Sequence, residues 1–197
     1  MRRLSDSYDA AVAAIDAANA ADPNMVSLAG ADEPLALVHG RLAADWVARF
    51  VADPDEALLL AARAHHLRRW EVPRSSYPDG KGGYHRWRRD QKQRHAADVE
   101  AILVTAGYES SVVARAQELI RRDGLGSDPD AQVVEDAACL VFIETQLAAM
   151  EARLEHDHLL EVIRKTARKM SPAGLAAVAQ INLDERARAL LDEALAD

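Results

Sequence analysis

One cysteine stands in the chain, Cys139, so no internal disulfide can form, and its neighbours in AACLVF mark it as a small buried hydrophobe rather than an exposed nucleophile. No apolar run approaches the roughly 18 residues needed to span a bilayer. The basic start MRRLSDSYDAAVAA is broken by Ser and Asp before the apolar core of a leader forms. These absences make the expected setting cytoplasmic, with an uncleaved start and no membrane partner. Alternation of β-branched or aromatic residues between Gly and Pro turns is missing, and so are internal repeats, heptad arrays and low-complexity tails. What remains is an apolar period of three to four almost throughout, which predicts an all-α fold. With 197 residues, 49% of them hydrophobic, the chain can fill one sizeable core. The expectation is a single compact bundle of about eight or nine helices over 1–197, its core at about 35–171.

Charge is scarce in one direction and unevenly spread. The net charge is −8, from 24 basic and 32 acidic residues. Yet Arg63, Arg68, Arg69, Arg74, Lys81, Arg86, Arg88, Arg89, Lys92 and Arg94 face only Glu71, Asp79 and Asp90 in the same stretch, a local excess of positive charge. A solvated, salt-bridged helix face is the plain explanation of such a run. A site for a small anion is the sharper one. No nucleic-acid partner is expected, although the net charge argues only weakly against one, because attraction to phosphates needs a basic face rather than a basic total.

Start and stop signals divide the chain into helices. The first runs from about Asp6 to Ala20 with Tyr8, Val12, Ile15 and Ala18 inward. Asp32 and Pro34 open a second, which carries Leu35, His39, Leu42, Trp46 and Phe50 on one face. Asp53-Pro54 opens a third that runs through LLLAARAHHLRRW and stops before Pro73. The stretch EVPRSSYPDGKGG, with two prolines, three glycines and no apolar period, reads as a loop of about a dozen residues. Loops this long within a compact domain are often functional. A fourth helix spans about Tyr84 to Ala106, with Tyr84, Arg88, Gln91, His95, Val99 and Ile102 at spacings of three or four. Ser110 or Ser111 caps a fifth that ends at Asp123-Gly124, and Asp128-Pro129 opens a long sixth. HLLEVIRKTARKM, SPAGLAAVAQ (capped by Ser171, with Pro172 in its first turn) and DERARALLDEAL fill the end.

Four histidines and one carboxylate fall where chemistry can be built. Alone, His39 beside Leu35, Leu42 and Trp46 reads as a hydrogen-bonded core residue. His65 and His66 close the most apolar helix, where two adjacent buried imidazoles leave nitrogens in need of partners. His95 shares a face with Arg88 and Gln91, and Asp136 sits among the apolar Val133, Ala137 and Leu140, where a carboxylate needs a partner or a metal. Taken together, each is a good ligand for a divalent ion, and His39, the His65-His66 pair, His95 and Asp136 lie on four different helices of a bundle. One divalent ion is therefore the expected cofactor, with iron, manganese and zinc in that order.

The segment LLLAARAHHLRRW resembles the signature of HD-domain proteins, where an apolar helix ends in His-Asp, one helix with a single His precedes it, and later helices carry another His and a late Asp. That resemblance implies His39 as first ligand, His65 in the His position, His95 as the intervening histidine and Asp136 as the late Asp. This chain has His66 where the family has its Asp, which implies a single-metal or altered site. A longer likeness, over about Leu35 to Ser171, rests on HHLRRWEVPRSSYPDGKGGYHRWR, RHAADVEAIL, AGYESSVVARAQELIRRDGL, QVVEDAACLVFIE and IRKTARKMS. In these strings the chain resembles the bacterial and fungal family known as domain of unknown function 4202. A Gln often stands at the His65 position in that family, which favours His66 as the ligand of the pair. The likeness also implies that Arg69, Trp70, Arg74, Tyr77, Tyr84, Trp87, Arg88, Lys165 and Lys169 belong to the site region, a set that suits an anionic substrate.

The function expected is a metal-dependent hydrolase of HD type acting on a small anionic, phosphoester-like substrate, with Glu135 or a spare histidine moving the proton. The alternatives are an HD-type iron oxygenase acting on a small anionic metabolite, and a small-anion binding protein without catalysis.

Overall fold

The computed structural model describes residues 4–28 and 30–196. The basic residues of the first three positions, part of the start read above as uncleaved, lie outside them. The regular secondary structure of the described residues is helical apart from one short antiparallel hairpin, β1 (Met25–Leu28) and β2 (Ala31–Pro34), paired Met25 to Pro34 and Leu28 to Ala31. The all-α expectation holds. No helix among them is long and apolar enough to cross a membrane. The chain divides into two compact units, 1–134 and 135–197.

In the first unit, α1 (Asp6–Asn19) starts at Ser5, whose hydroxyl accepts from the Tyr8 N–H, and buries Ala11, Ile15 and Asn19, with Tyr8, Val12 and Ala18 at the margin of that stripe. α2 (Leu35–Phe50) begins three residues later than Asp32 suggests. Asp32 belongs to β2, and the cap comes from a distance: the buried Asp22 carboxylate accepts from the Ala36 N–H at 3.0 Å. A capping group fourteen residues upstream leaves no local signal.

α3 (Glu56–Arg63) is capped by Asp55, which accepts from the Leu58 N–H at 2.8 Å. Eight residues are too few to hold a helix alone in water. Burial of Ala57 through Ala62 on all sides holds it, each leucine contributing about 1.5–3 kcal/mol, and it packs against α1, α2 and α5. It stops at Arg63 rather than continuing through His65-His66 as the sequence suggests. Neighbouring residues of a helix point about 100° apart. Leaving the helix lets the two rings lie side by side with centroids 4.0 Å apart.

α4 (Gly80–Thr105) starts four residues before Tyr84, so Gly80, Gly82 and Gly83 form its first turn and the long loop shrinks to two 3-10 turns, Arg69–Glu71 and Arg74–Ser76. A Cβ on Gly83 would strike the Pro78 carbonyl, so glycine is what permits this tight entry. α5 (Ser110–Arg121) packs on α4 and α3, with Glu109 rather than a serine at its cap position and Arg122 in the left-handed conformation at its end. α6 (Pro129–Glu151) opens in the first unit and continues into the second.

In the second unit α7 (His156–Ala167) packs on α9 (Glu185–Leu195), which is capped by Asp184. α8 (Pro172–Ala177) is capped by Ser171 with Pro172 in its first turn, as expected from SPAGLAAVAQ, and Cys139 on α6 is buried.

Gly40, next to His39, lets α2 close on the end of α3: a Cβ there would lie 2.5 Å from the Arg63 carbonyl oxygen. Gly40→Ala is expected to cost about 1–3 kcal/mol in urea unfolding, because backbone cannot yield as a side chain can. Gly82→Ala, with nothing within 4 Å, is expected to cost nothing or to gain about 0.5–1 kcal/mol. Equal urea midpoints for the two variants would show that this approach is not tight.

Candidate metal centre

Three elements of the first unit bring the histidines together. His39 sits on the buried face of α2, 3% exposed. His65 (4% exposed) and the half-buried His66 occupy the turn after α3. His95, 1% exposed, comes from the middle of α4. The turn is held open by Arg68, a non-glycine residue in the left-handed region (φ 51°), a conformation of appreciable cost. Asn19, the buried last residue of α1, supports it by accepting from the Arg68 N–H at 3.2 Å.

One ligand atom each from His39, His65 and His66 lies within 4.8 Å of the others, and this cluster could hold a metal ion. The Nδ1 atoms of His39 and His66 are 3.2 Å apart. Two nitrogens bound to one ion at about 2.1 Å stand roughly 3.0–3.4 Å apart, so the pair already has ligand spacing. His65 donates from Nδ1 to the Ala62 carbonyl at 2.8 Å, which fixes the tautomer and leaves Nε2 as an acceptor. That Nε2 is buried with no hydrogen-bond partner. An orphaned lone pair inside an imidazole cluster fits a metal ligand, and the donor chemistry fits a divalent ion. The His95 ring stands 6.1 Å from that of His66, beyond the three-residue cluster, and neither of its nitrogens has a partner.

The electrostatics keep these rings neutral. Burial, then the Arg69 charge, lowers the His39 pKa to about 4. The same two causes bring His95 to about 3. His65 and His66 are held well below the usual histidine range, first by burial; the Arg122 charge adds to this for His65, and the repulsion between two protonated rings, His65 foremost, for His66. Neutral imidazole is the ligating form.

The basic segment separates into two kinds of arginine. Arg74 is committed to the backbone, donating to the carbonyls of Tyr77 (2.9 Å), Pro78 (2.9 Å) and Gly80 (3.3 Å). It therefore shapes the entry to α4. Arg69 lies over the Trp87 ring at 4.4 Å and Arg88 over Tyr84 at 5.9 Å, with the two rings 6.1 Å apart. Burial, then Arg88, lowers the Arg69 pKa to about 10. α4 grips the whole segment: Trp87 Nε1–H donates to the Val72 carbonyl (2.9 Å), Gln91 to those of Arg69 (2.9 Å) and Val72 (2.8 Å), Arg94 to that of Arg68 (2.7 Å), and the Tyr77 hydroxyl to Asp90 (3.1 Å). Trp70 in the first 3-10 turn is half-buried.

The remaining expected site residues belong to the second unit. Asp136 is buried, its two carboxylate oxygens accepting from the Ser171 N–H (2.8 Å) and hydroxyl (2.5 Å), which anchors the start of α8. Glu135 is buried beside it on α6. Lys165, 60% exposed, pairs with Glu161 one turn away at 3.1 Å, and Lys169 follows the end of α7. Three contributors escaped the sequence reading as site residues: Asn19, Gln91 and Arg122. Arg122 is buried, donates to the carbonyls of Leu119, Ile120 and Val134, and adds positive potential at His65 and His95. Only the shared α4 face of Gln91 and His95 offered a signal for any of them.

Metal-stripped protein is expected to lose stability on acidification. The buried imidazoles titrate near 6.5 when unfolded and well below that when folded, so the unfolded chain binds more protons between the two values and stability falls with pH there. His39 alone, moving from the ordinary 6.5 to about 4, removes roughly 3 kcal/mol between pH 7 and pH 4. Urea midpoints of chelator-treated protein at pH 7.5, 5.5 and 4.5 measure this. A midpoint constant across that range would show that the rings are not buried neutral.

Compared with known families, the chain matches Domain of unknown function (DUF4202) over residues 9–191. No curated protein and no solved structure matches it. The chain belongs to the DUF4202 family.

Proposed function

We propose that this DUF4202 member is a metal-dependent hydrolase of a small anionic, phosphoester-like substrate, with His39, His65 and His66 holding one divalent ion. The observation that carries the reading is His65 Nε2, an acceptor with no partner in a buried cluster of imidazoles whose tautomer is set from behind by Ala62. A divalent ion bound there supplies Lewis acidity, lowering the pKa of a water and drawing charge from a substrate oxygen. A donor set made only of imidazoles favours zinc or iron over manganese, which prefers oxygen ligands. The HD likeness supports the reading through the order of the histidines, one on α2, a pair after α3 and one on α4.

The first unit supplies the rest. Arg69 and Arg88 place positive charge beside the cluster for a substrate anion, and an aromatic ring lies against each guanidinium. Gln91, 2% exposed, spends its amide N–H groups on the backbone and keeps Oε1 without a partner, an acceptor for a hydroxyl or water in the site. Arg74 acts through the loop it holds.

Purified full-length protein is expected to carry about one equivalent of zinc or iron. His65→Ala and His66→Ala are expected to bring this below roughly a tenth of an equivalent while far-ultraviolet circular dichroism stays that of the parent. Hydrolysis of p-nitrophenyl phosphate should vanish with chelation, return with added metal and be absent in both variants. Full occupancy in His65→Ala overturns the ligand assignment. Oxygen uptake by the iron-loaded protein without hydrolysis overturns the reaction class.

A further inference from the structure

Four arginines of the basic segment, Arg69, Arg74, Arg86 and Arg88, meet no carboxylate among the described residues; Arg74 is spent on carbonyls, Arg86 is exposed, and Arg69 and Arg88 lie against aromatic rings. Glu71 is held by Arg68 (4.0 Å) and Arg94 (3.2 Å), Asp90 by the Tyr77 hydroxyl and Arg89, and Asp79 is exposed at the start of α4. Neither the Arg69 nor the Arg88 guanidinium meets a carboxylate among the described residues. Both side chains are half-buried, and the Arg88 charge helps to lower the Arg69 pKa. Two like charges brought together where water is partly excluded repel, and none of the segment's three acids relieves it.

The aromatic stacking decides what could relieve it. Tyr84, Trp87 and Arg88 stand at spacings of three and four on one face of α4, so the Tyr84 and Trp87 rings form a wall that Arg69 and Arg88 lie against. A ring under the face of a guanidinium leaves its N–H edges open, and those edges are the part that binds oxyanions in pairs. The loop that carries Arg69 is tied down through its own carbonyl to Gln91, and Arg74 closes the next turn, so the first fork is fixed before any ligand arrives. The Arg69 N–H donates to the His66 carbonyl at 3.1 Å, and the Arg69 carbonyl accepts from Gln91, one turn before His95 on α4, which puts this residue beside the imidazole cluster.

We infer that Arg69 and Arg88, stacked on Trp87 and Tyr84, form a binding site for a phosphoryl dianion that works without metal. Two forks carry a charge of +2 and several N–H donors, which match the charge and tetrahedral oxygens of a terminal phosphate better than a single carboxylate. The inference rests on the reading of the neighbouring cluster as the centre of an enzyme for an anionic substrate, and it names the substrate's recognised group. Arg74, Arg86 and Arg89 take no part.

Metal-stripped full-length protein at pH 8 is titrated by calorimetry with inorganic phosphate and, separately, with phenyl phosphate, with sulfate as competitor and acetate at matched ionic strength. Binding of both phosphate probes, displaced by sulfate and indifferent to acetate, is expected. Arg69→Gln and Arg88→Gln should each weaken it at least about tenfold, Arg69→Lys should also lose most of it by removing the fork, and Arg86→Gln should leave it unchanged. Arg88→Gln lies on an already formed helix and guards against a folding defect in the Arg69 variants. Phosphate binding that survives both Gln changes overturns the inference, and so does acetate competing as well as sulfate. Zinc binding on the same preparations separates the two readings: zinc without phosphate binding refutes the dianion site alone, and phosphate without zinc binding refutes the metal site alone.

Discussion

Bringing four imidazoles into or to the edge of a helical interior is unfavourable, and much of the first unit can be understood as what makes it tolerable. A buried ring nitrogen without a partner costs on the order of 1–3 kcal/mol. His65 Nε2 and both nitrogens of His95 are in that position. The apolar burial of α3 offsets the cost, and specific devices hold the rings in place: Gly40 lets α2 touch the end of α3, Asn19 stabilises the left-handed Arg68, and Gln91, Trp87 and Arg94 fasten the following segment to α4. Energy stored as unsatisfied polar groups in one place is a usual mark of a site where something binds.

The helical layout was readable because apolar period and caps are local properties. Ser171-Pro172, Asp184 and the long apolar run of α3 announced their helices directly. Misreadings arose where the deciding contact is distant in sequence. Asp22 caps α2 from fourteen residues away, and Gly80 to Gly83 look like loop because their helix depends on Pro78 folding back against Gly83. The hairpin at Met25–Leu28 and Ala31–Pro34 is too short for alternation to register.

The histidines could be listed from sequence as candidate ligands, since the residue types and their separations are visible there. Their geometry could not. That His65 and His66 turn their rings to one side requires the helix to end at Arg63, and nothing in HHLRRW says so. In the basic segment, composition gave eight equivalent arginines, whereas the fold distinguishes Arg74, bound to three carbonyls, from Arg69 and Arg88, laid on aromatic rings. Asn19 and Arg122 act through one backbone N–H and several backbone carbonyls, contacts that leave no trace in residue spacing.

The Nδ1 atoms of His39 and His66, 3.2 Å apart, carry a consequence of their own. Two such atoms at that distance cannot both bear hydrogen, so the rings take opposite tautomers and one hydrogen sits between them. Under the proposed reading, a cation would take that hydrogen's place between the two rings, and the hydrogen would move to Nε2 of the ring that held it, because a neutral imidazole keeps one N–H. Loading would then be a change of tautomer within the pair rather than a loss of a proton, and the spacing that the shared hydrogen imposes is the spacing that two ligands of one ion need.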